Sequence, residues 1–229
     1  MSRLTGILML PLIATMAAPV AAQVVRSDVP HGGSVEIVGA FVASGGYDAG
    51  TSQALETSNP SVKPTPLTLF SGQGQLRPAA GAEARLGVYL SQQFSVEGGL
   101  QFTKPTLRIS LSNDFEQAPD TDAEEQITQY VIDGTLLYHF ARFSDGHASL
   151  FLAGGGGYLR QLDDGNERLT TGSQFHGGGG MHYWFGSGNQ RLGLRVEGRL
   201  AVRNGSVDLE TADNHHLVPT FSVGLGYLF

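Results

Sequence analysis

The sequence predicts an all-β protein, an eight-stranded antiparallel up-and-down transmembrane β-barrel, on three observations. Large apolar residues alternate with polar or small ones along eight segments, which is the period of a strand with one apolar face. The connections between these segments alternate between long and short. The polar face of several segments carries charged side chains, which a narrow barrel would enclose.

The beginning of the chain predicts export. Residues 1–22 have the form of a secretory signal peptide, with a positive charge at Arg3, a short apolar stretch and small residues at the cleavage point. The apolar stretch is too short to span a bilayer comfortably. We therefore expect residues 23–33 to be a short periplasmic lead-in and residues 34–229 to form the barrel.

Composition narrows the possible classes. The chain has no cysteine, so neither a disulfide framework nor a thiolate metal site is expected. It has no run of 18 apolar residues. Without Arg3, 13 basic and 21 acidic residues remain, a net charge of −8 that argues against a nucleic-acid partner. Glycine, at 32 of 229 residues, has about twice its usual share.

The eight predicted strands are most regular towards the end of the chain. They lie at residues 34–43, 80–90, 94–103, 126–140, 148–162, 170–185, 191–204 and 217–229. In 191–204 apolar residues alternate with four arginines, whereas both registers of 148–162 carry apolar residues and its faces stay unassigned. The alternation changes parity at Lys104-Pro105, which indicates a bulge or the emergence of the strand from lipid.

The connections predict the orientation. Residues 44–77, 113–125, 163–168 and 205–216 form the long connections, and 91–93, 144–146 and 186–190 the short turns. The three prolines of the first long connection argue against continuous sheet pairing there. Whether that connection nevertheless forms a hairpin, giving ten strands, stays open. Short turns on the periplasmic side would place the long, largely acidic loops outside.

The inward-facing charges predict the state of the lumen. The predicted network consists of Glu36, Glu83, Arg85, Glu97, Asp133, Arg195, Glu197, Arg199 and Arg203. Inside an eight-stranded barrel such charges have to be paired, and the planar fork of arginine suits bidentate pairing with carboxylates. We therefore expect a lumen that is plugged by side chains and has no continuous channel.

The last strand carries a family resemblance. Its outward residues alternate large and apolar to the end of the sequence: Phe221, Val223, Leu225, Tyr227 and Phe229. With this strand the chain resembles, over about residues 34–229, the small eight-stranded outer-membrane barrels of the OmpA/OmpX type, including the opacity-like surface proteins. In that family such an ending looks like the recognition signal of the barrel assembly machinery. Because the sequence ends at Phe229, no peptidoglycan-binding domain of the OmpA kind is expected.

The resemblance implies a location in the cell outer membrane, among its lipid and lipopolysaccharide, and a monomer is expected. No cofactor or metal is expected. The acidic segment 120–125 lacks the spacing and turn glycine of a helix–loop–helix calcium site. His215 and His216 lie beside Asp213 and precede Ser222 on the last strand. They keep open a lipid-modifying barrel enzyme, although no catalytic motif accompanies them.

The leading functional hypothesis is an integral outer-membrane protein, not an enzyme, with a structural or surface-interaction role carried by acidic extracellular loops. A soluble secreted β-sandwich that binds a ligand is the second hypothesis, because the same alternation would put the charges in water. The lipid-modifying enzyme is the third. Fold alone does not decide among ligands.

Overall fold

The computed structural model describes residues 30–56, 67–114, 119–163, 169–186, 191–205, 207 and 215–229. The predicted signal peptide and most of the predicted lead-in fall outside these residues. The described part of the chain has no helix long and apolar enough to cross a membrane.

Eleven β-strands make up the regular structure of these residues. They are β1 (Val35–Ser44), β2 (Tyr47–Glu56), β3 (Leu67–Leu76), β4 (Ala79–Tyr89), β5 (Phe94–Thr103), β6 (Thr106–Ser112), β7 (Thr121–Phe143), β8 (Ala148–Asp163), β9 (Leu169–Phe185), β10 (Arg191–Asn204) and β11 (His216–Leu228). The eight predicted strands correspond to β1, β4, β5, β7, β8, β9, β10 and β11.

Those eight strands close into a ring. Each pairs antiparallel with the next in chain order, and β11 returns to pair with β1. At the closure, Leu225 lies opposite Gly39 of β1 on one side and opposite Leu194 of β10 on the other. The predicted all-β, up-and-down barrel is confirmed, and a closed ring is incompatible with a two-sheet sandwich.

Two of the remaining three strands form the hairpin that the sequence left open for the first long connection, and this hairpin lies outside the ring. Residues 44–77, expected to form a polar loop, contain β2 and β3, which pair with each other. The prolines at 60, 64 and 66 lie between these strands, in residues 57–66 outside the described part. The expected loop 113–125 is likewise shortened, because β7 begins at Thr121 and pairs there with β6.

Strands β2, β3, β6 and the first part of β7 form what we call the outer sheet. It continues four neighbouring barrel strands beyond three aligned interruptions, at Gly45-Gly46, Arg77-Pro78 and Lys104-Pro105. A Cβ on Gly46 would collide with the carbonyl oxygen of Leu76, so the turn out of β1 requires glycine. Prolines, which lack an N–H, interrupt the other two ladders. The parity change at Lys104-Pro105 is therefore a sheet boundary.

Alternation along the ring strands separates an apolar outside from a polar inside. Phe94 packs on Tyr138 and Phe102 on Tyr130, with ring centroids 5.1 and 5.2 Å apart, on the outward face. Eight residues separate these two levels, about 27 Å along the strand at ~3.4 Å per residue. At a strand tilt of about 40° this is ~21 Å of height, close to the apolar band of an outer-membrane barrel.

The structure also assigns the faces of β8, which the sequence left open. Phe151, Ala153, Leu159 and Gln161 are buried inside the barrel, and Leu152 and Tyr158 are exposed on its outside. The glycines at 154–157 sit between these sets, where several Cβ atoms would meet backbone of the neighbouring strands. Close approach of strands explains the mixed pattern of this segment.

Candidate functional site in the barrel interior

All nine predicted lumen residues lie on the inward face of the ring strands, with exposures of 7% or less. The alternation of each strand puts them there, since the opposite register carries the lipid-facing apolar side chains. Their roles follow from the partners that each one meets across the lumen.

Arg195 makes the densest set of contacts. Its Nη1 and Nη2 donate to the two carboxylate oxygens of Glu97, at 2.7 and 2.9 Å. Its Nε and Nη2 donate to Glu197 Oε2, at 3.1 and 2.8 Å. The guanidinium carbon also lies 4.9 Å from the centre of the Phe151 ring. One arginine thus joins two carboxylates and an aromatic face, which its planar fork permits.

Arg85 and Arg199 extend this set. Arg199 donates to Glu83 Oε1 at 2.8 Å and to both oxygens of Glu197. Arg85 donates to Glu83 Oε1 at 2.8 Å and to Asp133 Oδ2 at 3.2 Å. Three arginines and four carboxylates therefore form one connected network across the middle of the barrel. Each charge has an opposite charge in direct contact, as burial demands.

Glu36 and Arg203, the other two predicted members, lie on either side of that network. Glu36 accepts a hydrogen bond from the Tyr89 hydroxyl at 3.3 Å and lies 3.3 Å from His182 Nε2. Arg203 donates to the amide oxygens of Gln174 and Gln129, at 3.3 and 3.2 Å. The prediction of one network of nine charges is thus too broad: the structure brings seven together and gives the other two different neighbours.

A layer of amides surrounds Arg203. Gln161 donates to Gln129 at 3.0 Å, and Gln129 donates to Thr103 at 3.1 Å. The backbone N–H of Val207, in the connection after β10, donates to Gln161 at 2.9 Å. Sequence reasoning missed these glutamines because they are neutral, although their inward parity could have identified them.

Aromatic rings occupy the other side of the charge network, towards the short turns. His182 lies 4.9 Å from Phe151, 5.4 Å from Trp184 and 6.0 Å from His139, measured between ring centroids. Tyr89 packs with Trp184 and Leu228 in a buried apolar cluster at this end. The alternation of their strands already predicts the inward positions of His139, His182, Tyr89 and Trp184. Phe151 was missed, because the sequence left the faces of its strand unassigned.

The outer sheet covers the opposite end of the lumen. Its apolar face buries Tyr47, Leu76, Leu107 and Ile127 in a cluster that also contains Val218 of β11. Leu76 and Leu107 are at most 5% exposed, which places them in a core even though the sheet lies beyond the ring. From the short turns towards the outer sheet, aromatic rings, charges, amides and this apolar cluster therefore follow one another along the barrel interior.

The geometry separates the residues of the enzyme hypothesis. The imidazole of His216 is buried and stacks on the ring of Tyr47, with centroids 4.2 Å apart. Ser222 lies six residues further along the same strand, about 20 Å away at ~3.4 Å per residue. The two side chains cannot share a proton at that distance. Asp213 lies outside the described residues, and within those residues no group of three or more metal-ligating side chains occurs.

The five outward residues of the predicted assembly signal lie on the lipid face of the barrel. Phe221, Leu225 and Phe229 are each more than half exposed, and the Tyr227 and Phe229 rings meet edge to face at 4.7 Å. The backbone N–H of Phe229 donates to Val35 at 2.8 Å, so the end of the strand is tied to the start of β1. Recognition of this pattern by an assembly machinery stays a prediction.

Comparison with known proteins agrees with this architecture. The family model described as outer membrane protein beta-barrel domain matches residues 8–229. No curated protein matches the chain. The crystal structure of the outer membrane protein OprG from Pseudomonas aeruginosa is similar with a TM-score of 0.53, at 13% identity, over 88% of this chain and 98% of that one. Ail, the attachment invasion locus protein of Yersinia pestis, matches with a TM-score of 0.42, at 12% identity, over 86% and 99%.

Proposed function

Because this chain belongs to the outer membrane protein β-barrel family, we propose that it is an integral outer-membrane protein that acts through its outer surface and not as a pore. The observation that carries the proposal is the set of paired side chains that point into the lumen. Seven paired charges cross its middle, and an apolar cluster under the outer sheet lies over one end. Opening a continuous water path would require breaking buried ion pairs, each of which is costly to separate.

The proposal predicts very low ion conductance. The protein reconstituted in planar bilayers should give no large, stable current steps at moderate voltage, because the narrow interior of an eight-stranded ring is occupied by side chains. A porin reconstituted in the same bilayers serves as the positive control. Stable porin-like steps from the purified protein would contradict the closed lumen and leave only the membrane location standing.

The surface role also depends on orientation. We propose that the outer sheet and the long loops face the outside of the cell and that the short turns face the periplasm, as in other outer-membrane barrels. The acidic segment at the start of β7 supports a surface role as a structured element: Asp122 pairs with Arg108, and Glu124 lies 3.1 Å from Arg77. The assembly machinery and the surrounding lipopolysaccharide are the further partners in this proposal.

Cysteine labelling tests the orientation directly, because the natural chain has no cysteine. Gln73→Cys places a thiol on the exposed face of the outer sheet, and Gln93→Cys places one in the turn between β4 and β5. A membrane-impermeant maleimide added to intact cells should label only the first variant. After the outer membrane is permeabilised, both should react. Labelling of Gln93→Cys alone in intact cells would reverse the topology.

A further inference from the structure

The outer sheet has a second face, which the closure of the lumen does not use. Its strand register aligns polar residues in two rows across four strands: Asp48, Gln75, Arg108 and Glu124 in one, and Thr51, Gln73, Ser110 and Asp122 in the other. Neighbours within a row are about 4.8 Å apart, and the rows are ~7 Å apart. We call these eight residues the polar grid. The side chains at the alternate positions of the same strands point to the other face of the sheet and form the buried apolar cluster.

An open cavity of about 150 Å³ lies within the grid. Asp48, Gln73, Gln75, Arg108 and Ser110 line it, so every lining residue is polar and comes from β2, β3 or β6. A cavity of this order of size can hold a six-membered ring. The cavity therefore has the dimensions of a site for one small cyclic molecule.

The lining residues divide into groups that already have partners and groups that are available. Arg108 pairs with Asp122, and the Ser110 hydroxyl donates to Asp122 Oδ1 at 2.6 Å. The hydrogen bond from Arg108 lowers the pKa of the Asp122 carboxyl. The Asp48 Oδ1 atom accepts a hydrogen bond from the backbone N–H of Gly50 at 3.0 Å. By contrast, the side-chain amides of Gln73 and Gln75 make no hydrogen bond within the described residues.

These available groups define the chemistry of a ligand. The two amides offer both donors and acceptors, and the second oxygen of the Asp48 carboxylate accepts. The hydroxyl groups of a sugar ring can both accept hydrogen bonds from the amide N–H groups and donate hydrogen bonds to the oxygen acceptors. An anion would meet Asp48 and an arginine that Asp122 already neutralises, and a metal cation would find only one carboxylate in the cavity. A neutral, hydroxyl-rich ring fits best.

We propose that the polar grid binds a neutral hexopyranose unit, with Gln73 and Gln75 as its principal hydrogen-bonding residues. The sugar belongs either to a soluble or foreign glycan or to lipopolysaccharide of the same membrane. Since no lining residue is aromatic, binding relies on hydrogen bonds and is weak, in the millimolar range. The inference rests on the proposed surface role, because the grid meets glycans only if the outer sheet faces outwards.

The test uses the whole protein in phospholipid nanodiscs, titrated with methyl glycosides of glucose, galactose and mannose. Side-chain amide NMR signals of Gln73 and Gln75 should shift in a saturable way with at least one of them. Gln75→Ala should raise that Kd about three- to tenfold, the effect of one lost hydrogen bond. Gln93→Ala, an exposed glutamine at the opposite end, is the matched control and should leave the Kd unchanged.

Two further arms identify the source of the sugar and the charge preference. The first arm includes lipopolysaccharide in the nanodisc. If it shifts the same signals and added methyl glycoside reverses the shift, the sugar comes from the membrane. If only added glycoside shifts the signals, the natural ligand is a soluble or foreign glycan. In the second arm, glucuronate should bind at least tenfold more weakly than the best neutral glycoside.

Three results would overturn the proposal. Neither a glycoside nor lipopolysaccharide shifts the two amide signals, Gln75→Ala binds the glycoside as tightly as wild type, or glucuronate binds as tightly as the neutral glycosides.

These results are separable from the test of the surface role. Sugar binding in nanodiscs does not depend on orientation in the cell, whereas labelling of Gln73→Cys does. If Gln73→Cys is labelled from outside but no sugar binds, the sugar site is refuted and the surface role is supported. If sugar binds but Gln73→Cys is not labelled from outside, the site is supported, but it cannot reach foreign glycans.

Discussion

Replacing Arg195 with methionine is expected to lower the free energy of unfolding in lipid by about 3–5 kcal/mol, the usual effect of removing one partner from a buried ion pair. Methionine retains much of the apolar stem but leaves Glu97 without two hydrogen bonds and Glu197 without two others. Glu97 would keep only its 3.5 Å contact with Arg85, and Glu197 only its contacts with Arg199. Urea titration of the protein in vesicles measures the change. The single tryptophan, Trp184, is buried inside the barrel and reports on unfolding.

Two variants make that result specific. Arg160→Met removes an exposed arginine from the outward face of β8, so its effect should stay within about 0.5 kcal/mol. Combining Arg195→Met with Glu97→Gln should recover part of the loss, because the amide replaces an unpaired charge. If Arg195→Met unfolds at the same denaturant concentration as Arg160→Met, the lumen network contributes nothing measurable, and the argument for a closed lumen loses its energetic basis.

Replacing Leu136 with arginine is expected to cost about 1–3 kcal/mol, between the penalties for a cation at the middle of the bilayer and at its interface. Leu136 is 49% exposed and lies on β7 between the aromatic levels marked by Tyr130 and Tyr138. Its side chain therefore faces hydrocarbon, not the lumen. The same titration in vesicles measures the loss.

Leu90→Arg is the depth control for this prediction. Leu90 is also exposed, at 59%, but it lies at the end of β4, in the turn outside the apolar band. An arginine there should cost only about 0–1 kcal/mol, since it reaches the interface. Equal losses at the two positions would mean that Leu136 does not face the bilayer core, and the inside–outside assignment of β7 would have to be reversed.

The ring could be predicted from sequence because its strands carry a strict two-residue alternation, and strand β10 illustrates why. There one parity faces lipid and the other faces the lumen, so the physical contrast between the faces is large. The outer sheet has no such contrast in sequence. Strand β2 is mostly small and polar, and its buried residues, Tyr47 and Ala49, become apolar partners only once the sheet lies over Val218.

The interior could be predicted as a set of residues but not as a set of contacts. Parity places Glu97 and Arg195 inside, yet they are 98 residues apart and meet across the lumen only when the ring has closed. Glu83 and Arg199 meet in the same way, 116 residues apart. The strand stagger that decides such pairings results from the closure of the whole sheet, which no single segment encodes.

The aligned interruptions at the outer sheet determine how mechanical force would enter the barrel. Three of the four strand continuations are broken at glycine or proline pairs, whereas β7 runs for 23 residues without a break and belongs to both sheets. A partner that pulls on the outer sheet therefore loads β7 first, along its axis. That strand is held on both sides of the ring by β5 and β8, so the load is shared as shear among many hydrogen bonds. Tension on the outer sheet would thus reach the barrel wall along one strand and spread sideways through its neighbours.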